Sequence, residues 1–396
     1  MGTANLSPAT PRGGGSGTDE GIDGAAPRQW PESAALEAWR SVRRMLDDMT
    51  SMVEATAETE LELVEGLRVL GRAAALCSEL SLDIDHERPW FFSMNTEARL
   101  IGGPDPDGEY HLAMIDGRRR YRVTGDRNTV TYLGFQVLAG TGLTPRRMAA
   151  YLSDRDLVLD EAGRFSFVLS AERPAPEELA GALWLAVPED ASGLVVRQYL
   201  ADRARETPAR LRIEPLDRPG RPQPPTDAGI AAQFTTMAWT IAKLTTLHQT
   251  VRPDLLEAPN QLVTSEAAAL GGENTTPDNL YMLGVFRLAA GEVLRLEFEP
   301  PATRYWSITV ENIWHECIDP RRRRSCLTNA GVVHAADGTV HVSIGGTPPD
   351  PDRPGDDNWL DTGGRHRGFV VLRWLDNPDP PSVRCRLVAP APGRRP

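Results

Sequence analysis

Two histidines, His334 and His341, flank an Asp337-Gly338 pair inside a segment of alternating apolar residues. If Asp337 and Gly338 form a two-residue hairpin loop, Ala336 pairs with Thr339 and His334 faces His341. Facing residues have Cβ atoms about 4.5–5.5 Å apart, so both imidazoles could share one metal ion or one anionic substrate. His315, Glu316 or His366 would supply a third ligand. The alternative is an exposed polar face on a surface hairpin. Carboxylates among tryptophans make a second constellation: Glu311, Glu316, Asp319 and Asp361 lie in segments that also carry Trp306, Trp314 and Trp359. Aromatic walls with a few carboxylates suit sugar or terpenoid-like ligands, and a buried carboxylate can serve as acid or base. The catalytic group expected on this reading is Glu316, Asp361 and His366 converging in one pocket. The tryptophans also fit a plain hydrophobic core.

Other chemistries lack their motifs. The chain has no GxSxG elbow, no GxxxxGK[ST] phosphate loop and no GxGxxG following a strand. His315-Glu316 is followed by Cys317-Ile318-Asp319, so the helix that places two histidines of HExxH on one metal is absent. The turn Asp105-Pro106-Asp107-Gly108-Glu109 has the acidic start of a calcium loop without the rest of it. Arg118–Arg120 and Arg321–Arg324 could hold an anionic ester, or lie in solvated loops. Cys77, Cys317, Cys326 and Cys385 show no CxxC spacing, which argues against a disulfide framework or a zinc knuckle. No cofactor is firmly implied.

Composition narrows the partners. The 396 residues, 40% apolar and 25% charged, are those of a globular protein with two or three domains. A net charge of −12 argues against nucleic acid as the main partner. Unbroken apolar runs reach only about six residues, too short for a membrane span. Lys243 is the single lysine, so Schiff-base chemistry would have to use it. The arginine- and alanine-rich usage is that of a GC-rich genome of the actinobacterial kind. The expected partner is a small molecule, and a homo-oligomer is left open.

The elements that must position these residues follow from periodicity. Residues 1–30, with Gly13-Gly14-Gly15-Ser16-Gly17, have the composition of a disordered tail and no secretory signal, so the expected location is the cytoplasm. Over 31–85, apolar residues from Leu36 to Val53 and from Leu61 to Leu76 recur at three and four, with Ser33 as N-cap: one long helix or a hairpin. From 86 to 225 short β-runs take over. Phe165, Phe167 and Leu169 alternate with Arg164 and Ser166, while Leu194-Val195-Val196 is continuous, as in a more deeply buried strand. Residues 226–260 hold a helix with the stripe Ile230, Phe234, Met237, Ile241, Leu244 and Leu247, capped by Thr226 or Asp227. Residues 261–388 return to β-runs, with a loop over Pro348–Pro354, and 389–396 form a tail.

The two β-regions repeat each other. Pro106-Asp107-Gly108-Glu109-Tyr110 matches Pro277-Asp278-Asn279-Leu280-Tyr281 at an offset of 171. Tyr132 and Tyr305 match at 173, and Gly163/Gly338, Trp184/Trp359 and Gly193/Gly368 at 175. Arg197 and Arg373 match at 176. Six ordered pairs with a slowly growing offset indicate two copies of one helix-plus-sandwich unit. Such copies can pack about a pseudo-two-fold axis and leave a cleft. The paired arginines and tyrosines would line that cleft, or act as framework. The predicted fold is therefore mainly β with flanking helices: tandem duplicated, jelly-roll-like β-sandwich modules, each preceded by helix.

The second module carries a resemblance. Arg304-Tyr305-Trp306-Ser307-Ile308-Thr309-Val310-Glu311-Asn312, the hairpin Asp337–Ile344, and Asn358-Trp359-Leu360-Asp361-Thr362 ahead of Gly368 resemble a bacterial family known as the conserved domain of unknown function 1214. The PDxxY run and the later segment Gly125–Val137 resemble the upstream half of its longer members, so the resemblance spans roughly 60–388. It implies sandwich or jelly-roll modules with flanking helices and supplies no activity. At Thr362-Gly363-Gly364-Arg365-His366 the histidine falls one position later than in the family pattern. The ligand-binding residues expected are Tyr281, Arg304, Trp306, Trp314, Asn358, Trp359 and Arg373. Three functions remain open: an enzyme of small-molecule or specialised metabolism acting in a cleft of the second module, a non-catalytic binder of carbohydrate- or lipid-like ligands, and a structural sandwich.

Overall fold

The structure is a computed structural model that describes residues 32–82, 84–140, 146–250, 253–265, 275–346, 358–376 and 378–389. The expected tail over 1–30, the loop over Pro348–Pro354 and nearly all of the tail over 389–396 lie outside the described residues. The N-terminal segment is a hairpin of two helices, α1 (Ala34–Thr56) and α2 (Glu60–Leu82). The Ser33 hydroxyl caps α1 by accepting from Leu36 N, and Thr59 Oγ1 accepts from Glu62 N to open α2.

Among the described residues each β-module contains nine strands. The first runs β1 (Phe92–Ser93), β2 (Gly108–Met114), β3 (Tyr121–Asp126), β4 (Tyr132–Ala139), β5 (Arg147–Ser153), β6 (Arg164–Ser170), β7 (Leu183–Ala186), β8 (Ala191–Tyr199) and β9 (Arg210–Pro215). A short helix, α3 (Pro176–Leu179), separates β6 from β7. After α4 (Asp227–Thr245) and α5 (Pro253–Glu257), the second module runs β10 (Val263–Ser265), β11 (Asn279–Arg287), β12 (Val293–Phe298), β13 (Trp306–Glu311), β14 (Cys326–Thr328), β15 (Val340–Gly345), β16 (Trp359–Asp361), β17 (Arg367–Leu375) and β18 (Arg384–Val388). The first module pairs its sheets as β1-β2-β8-β4-β5 and β7-β6-β3-β9, and the second as β10-β11-β17-β13-β14 and β16-β15-β12-β18. Adding nine to every strand of the first copy yields the second. Even the parallel pair recurs, as β6/β7 and β15/β16. The duplication read from the sequence is thus the architecture.

Each sandwich closes over its own core. Phe135 meets Phe165 and Phe167 edge-on in the first, and Phe298 meets Trp306 and Trp374 edge-on in the second. The five-stranded sheets are covered on their outer faces as well. Every residue of β8 is buried, because Leu194 and Val196 enter the sandwich while Val195 packs on the other side with Leu112 and Leu138. That explains an unbroken apolar run in an antiparallel strand.

The outer faces meet about the pseudo-two-fold axis. Tyr132, Tyr199 and Tyr305 stack there with ring centroids 5.1 and 5.0 Å apart. The Tyr305 hydroxyl donates to Asp105 of the other module at 2.7 Å, and Tyr199 Oη lies 2.6 Å from Thr276 Oγ1. Tyr151 on β5 bonds Asp278, and its repeat partner Cys326 on β14 bonds Asp107, the repeat partner of Asp278. Arg304 crosses the seam to Asp154 while also holding Asp376 of its own module. Helix α4 packs along α1 and α2 around Val42, Leu70, Met237 and Ile241. Thr226 caps α4, and Asp227 caps the neighbouring helix by accepting from Ala34 N and Ala35 N. A carboxylate there offsets two adjacent helix N-termini.

Removing the Arg304 side chain strands the almost fully buried Asp154 carboxylate with Arg127 alone. Arg304→Ala is expected to cost about 2–3 kcal/mol in urea unfolding, whereas a cost near zero would show that this bridge does not hold the modules together.

Candidate functional site

Below the tyrosine stack the outer sheet faces diverge, and α2 and α4 roof the gap. The result is a cavity of about 310 Å³. Its walls come from equivalent positions of both modules: Tyr110 with Tyr281, Leu112 with Leu283, Val195 with Val371, and Arg197 with Arg373. Leu76 of α2 and Leu244 of α4 close it from above. Strand alternation places Val195 and Arg197 of β8, and Val371 and Arg373 of β17, on this outer side.

The framework beneath the paired residues is duplicated too. Asp105 N donates to Tyr110 Oη at 2.8 Å, and Thr276 N to Tyr281 Oη at 3.0 Å. Arg197 bonds Gln136 on β4, and Arg373 donates to Thr309 at the equivalent position of β13 at 3.1 Å. Arg373 donates further to Gly103 O at 2.7 Å. Burial, the largest single influence, would weaken its hold on the proton, but Asp105, Tyr110, Glu311 and Tyr281 together outweigh it and keep the guanidinium protonated. Burial raises the Tyr110 pKa well above the ordinary range, so its phenol stays neutral.

One pair breaks the symmetry. Where the first module has Leu138, the second has Glu311, fully buried on the same cavity wall. Oε2 of Glu311 lies 2.9 Å from His315 Nδ1. Its Oε1 is buried without a hydrogen bond, 3.7 Å from Arg373 Nη2. An unpaired buried carboxylate oxygen beside a cavity is costly and calls for a functional account. His315 is held in place by its surroundings. It sits in a turn with φ 55°, a left-handed conformation that costs a β-carbon-bearing residue roughly 1–2 kcal/mol. Its ring stacks on Phe369 of β17 at 4.0 Å, and its carbonyl accepts from Gly103 N at 2.8 Å. Gly103 itself has φ 68° and runs past Glu311, a path that suits glycine. With Nδ1 committed to Glu311, Nε2 is the nitrogen left for chemistry. The arrangement is an oriented carboxylate–histidine pair beside a guanidinium. His248, beyond the roof helix, packs edge-on to Trp314; burial, with the His315 charge second, pushes its pKa down to about 4.

Of the residues expected to bind ligand, the structure brings Tyr281 and Arg373 to this cavity. The others serve elsewhere. Glu316, Asp361 and His366 do not converge: Glu316 is buried against Arg68 and Arg72 of α2, Asp361 pairs with Arg323, and His366 faces Glu58 and Glu62. Arg304 belongs to the seam, Trp306 to the sandwich core, and Trp314 to the α2 contact through Nε1 and Glu62 O. Asn358 ties Val333 to His341 O, and Trp359 lies on β16 beside β15. The facing of His334 and His341 is corrected by register. Ala335, not Ala336, pairs with Thr339, Gly338 takes φ 88°, and His334 bridges Val340. The loop is one residue longer than the two-residue turn, and a one-residue slip puts the two imidazoles on opposite faces. Among the described residues no group of three or more His, Cys, Asp or Glu side chains is gathered for a metal ion. The arginine runs pair with nearby acids, as Arg118 does with Asp116 and Arg120 with Asp217. Sequence reasoning passed over the Glu311–His315 pair. Its signal was a carboxylate standing opposite a leucine of the first copy, four residues before a histidine.

Comparison with known proteins agrees with this picture of the fold. The family model described as "Protein of unknown function (DUF1214)" matches residues 287–379, which include Glu311, His315 and Arg373. The crystal structure of an uncharacterized protein from Burkholderia cenocepacia is 30% identical, with a TM-score of 0.82 over 90% of this chain and 98% of that one. The VPA0106 protein from Vibrio parahaemolyticus is 11% identical with a TM-score of 0.46, covering 83% of this chain and 100% of that one. No curated protein matches.

Two measurements separate function from framework here. Glu311→Leu, which copies the first module, should leave stability within about 1 kcal/mol or raise it, since Oε1 is buried without a hydrogen bond and Arg373 keeps its bonds to Thr309 and Gly103 O; a loss near 3 kcal/mol would make Glu311 a structural residue. His248 has a folded pKa near 4, below the roughly 6.5 of an unfolded chain. Its contribution to stability is therefore full above pH 6.5 and is lost as the pH falls towards 4. Urea unfolding across that window should show a shallower acid slope for His248→Asn than for the wild type, and equal slopes would refute the assignment.

Proposed function

Because the chain belongs to the DUF1214 family, whose description assigns no activity, we propose its function from the cavity itself: an enzyme of small-molecule metabolism that uses His315 as a general base. The observation that carries this is the Glu311–His315 contact at 2.9 Å on the wall of a roofed cavity. Glu311 orients the imidazole and stabilises the imidazolium that forms when Nε2 takes a proton. The thiol of Cys317, two residues on, donates to Pro104 O and is held protonated by burial, so the chemistry proposed for His315 is activation of water. The water proton passes to Nε2, its oxygen attacks an acyl carbon, and the leaving oxygen takes the proton back. Arg373, Tyr110 and Tyr281 line the same space and are suited to hold developing negative charge. This moves the expected cleft from the second module to the space between the modules. The cytoplasm, where small metabolites are met, is the compartment that goes with this reading.

A second reading has its own support: four cationic side chains and many aliphatic ones line the cavity, a lining that suits a non-catalytic binder. A panel of p-nitrophenyl esters from acetate to decanoate separates the two. The enzyme reading expects nitrophenolate release that falls about 10²–10⁴-fold in His315→Gln. Release no faster than with His315→Gln for every ester in the panel would sink catalysis and leave the binder.

A further inference from the structure

We propose that this cavity takes an ester with a hydrocarbon body, the body lying against Leu112, Leu138 and Val195 of the first module and the ester group turned to His315 of the second. The inference rests on the reading of His315 as a base for ester hydrolysis, and it names the class of substrate that the site accepts.

The first observation is that polar side chains of the lining are already committed within the protein. Asn95 donates to Gly108 O at 3.1 Å and accepts from Tyr110 N at 3.0 Å, so both ends of its amide are used. Thr276 and Tyr199 bond one another. Arg197 bonds Gln136, and Arg373 is shared among Thr309, Gly103 O and the charges of Asp105 and Glu311. Arg146, Lys243 and Thr275 also interact within the molecule. A sugar brought here would surrender water from many hydroxyls at a wall whose donors and acceptors are engaged.

The second observation is the surface that remains. Leu112, Leu138 and Val195 pack together as one apolar group on the first module's face of the cavity, and each is almost fully buried. Leu76 of α2 and Leu244 of α4 continue that surface across the roof. Hydrocarbon laid on such a wall is stabilised in proportion to the apolar area it removes from water. The third observation is direction. Leu138 stands on β4 at the place where Glu311 stands on β13, so one side of the cavity offers aliphatic surface where the other offers the Glu311–His315 pair. A substrate carbonyl meets the imidazole on one side only, and its hydrocarbon part is left for the other.

The probes are butanol, hexanol and octanol, which cannot be hydrolysed, with glucose as the polyhydroxyl control, all measured by calorimetry on the full chain. Affinity is expected to rise about three- to four-fold per methylene, the increment of a buried CH₂ group. Glucose is expected not to bind. Leu138→Glu, which copies the second module, should lower octanol affinity about ten-fold or more. Val195→Thr keeps a β-branched strand residue of nearly the same shape and adds one hydroxyl to the wall. It should lower octanol affinity about five-fold, and it reads the wall even where the glutamate variant does not fold. Equal affinities from butanol to octanol, glucose bound more tightly than octanol, or octanol affinity untouched in the folded variants would overturn the proposal. His315→Gln leaves this wall intact, so it should bind octanol like the wild type. Chain-length dependence without ester turnover would defeat only the acid–base reading, and turnover indifferent to chain length from acetate to decanoate only this one.

Discussion

The organisation of this molecule depends on one requirement: each five-stranded sheet must cover a second face. Sandwich cores take the inner faces of β8 and β17, but Val195, Arg197, Val371 and Arg373 project outward. The two copies solve this by covering one another about an axis marked by Tyr132, Tyr199 and Tyr305. Aromatic rings suit that position because their faces stack while their hydroxyls satisfy Asp105 and Thr276 at the edge. Two twisted sheets touching at one end must separate at the other. The cavity is that separation, and the helices are what the fold places over it.

The roof is attached in two different ways. Towards α1, helix α4 holds it by aliphatic packing. Towards the second module, α2 adds charge to the packing of Val69 with Ile313 and Trp314: Glu62 and Glu65 reach Arg367 and Arg365, while Arg68 and Arg72 reach Glu316. These carboxylates are almost fully buried, so their pairs are shielded from salt far better than surface pairs. Helix α2 therefore stays with the second module, the copy that carries Glu311 and His315.

Much of the fold could be read from residue types and spacing. The helix caps at Ser33 and Thr226, the alternation at Phe165–Leu169 and the offset pairs each depend on local rules. The offset pairs said more than they were asked, since Tyr110, Tyr281, Arg197 and Arg373 lie around one cavity. The site was less legible because chemistry-bearing residue types are also the residues that build ion pairs. Glu316 and His366 look functional by type, yet their partners lie some 250 and 300 residues away on α2 and the turn before it, which spacing does not disclose. The His334/His341 register turned on a single residue of loop length. Glu311 was hidden for another reason: only once Leu138 is known to share its cavity does the substitution between copies acquire meaning.

That substitution shows why two modules in one chain differ from two modules in a dimer. In a symmetric dimer of identical subunits, every residue near the axis occurs twice. A glutamate at this position would bring its own image, setting two buried carboxylates in one small cavity whose like charges oppose each other's ionisation. Here the two halves are encoded separately, so one carries a leucine where the other carries Glu311. Covalent linkage of the copies is what lets an axial cavity carry Glu311 on one side and a leucine at the equivalent place on the other, and so have a direction.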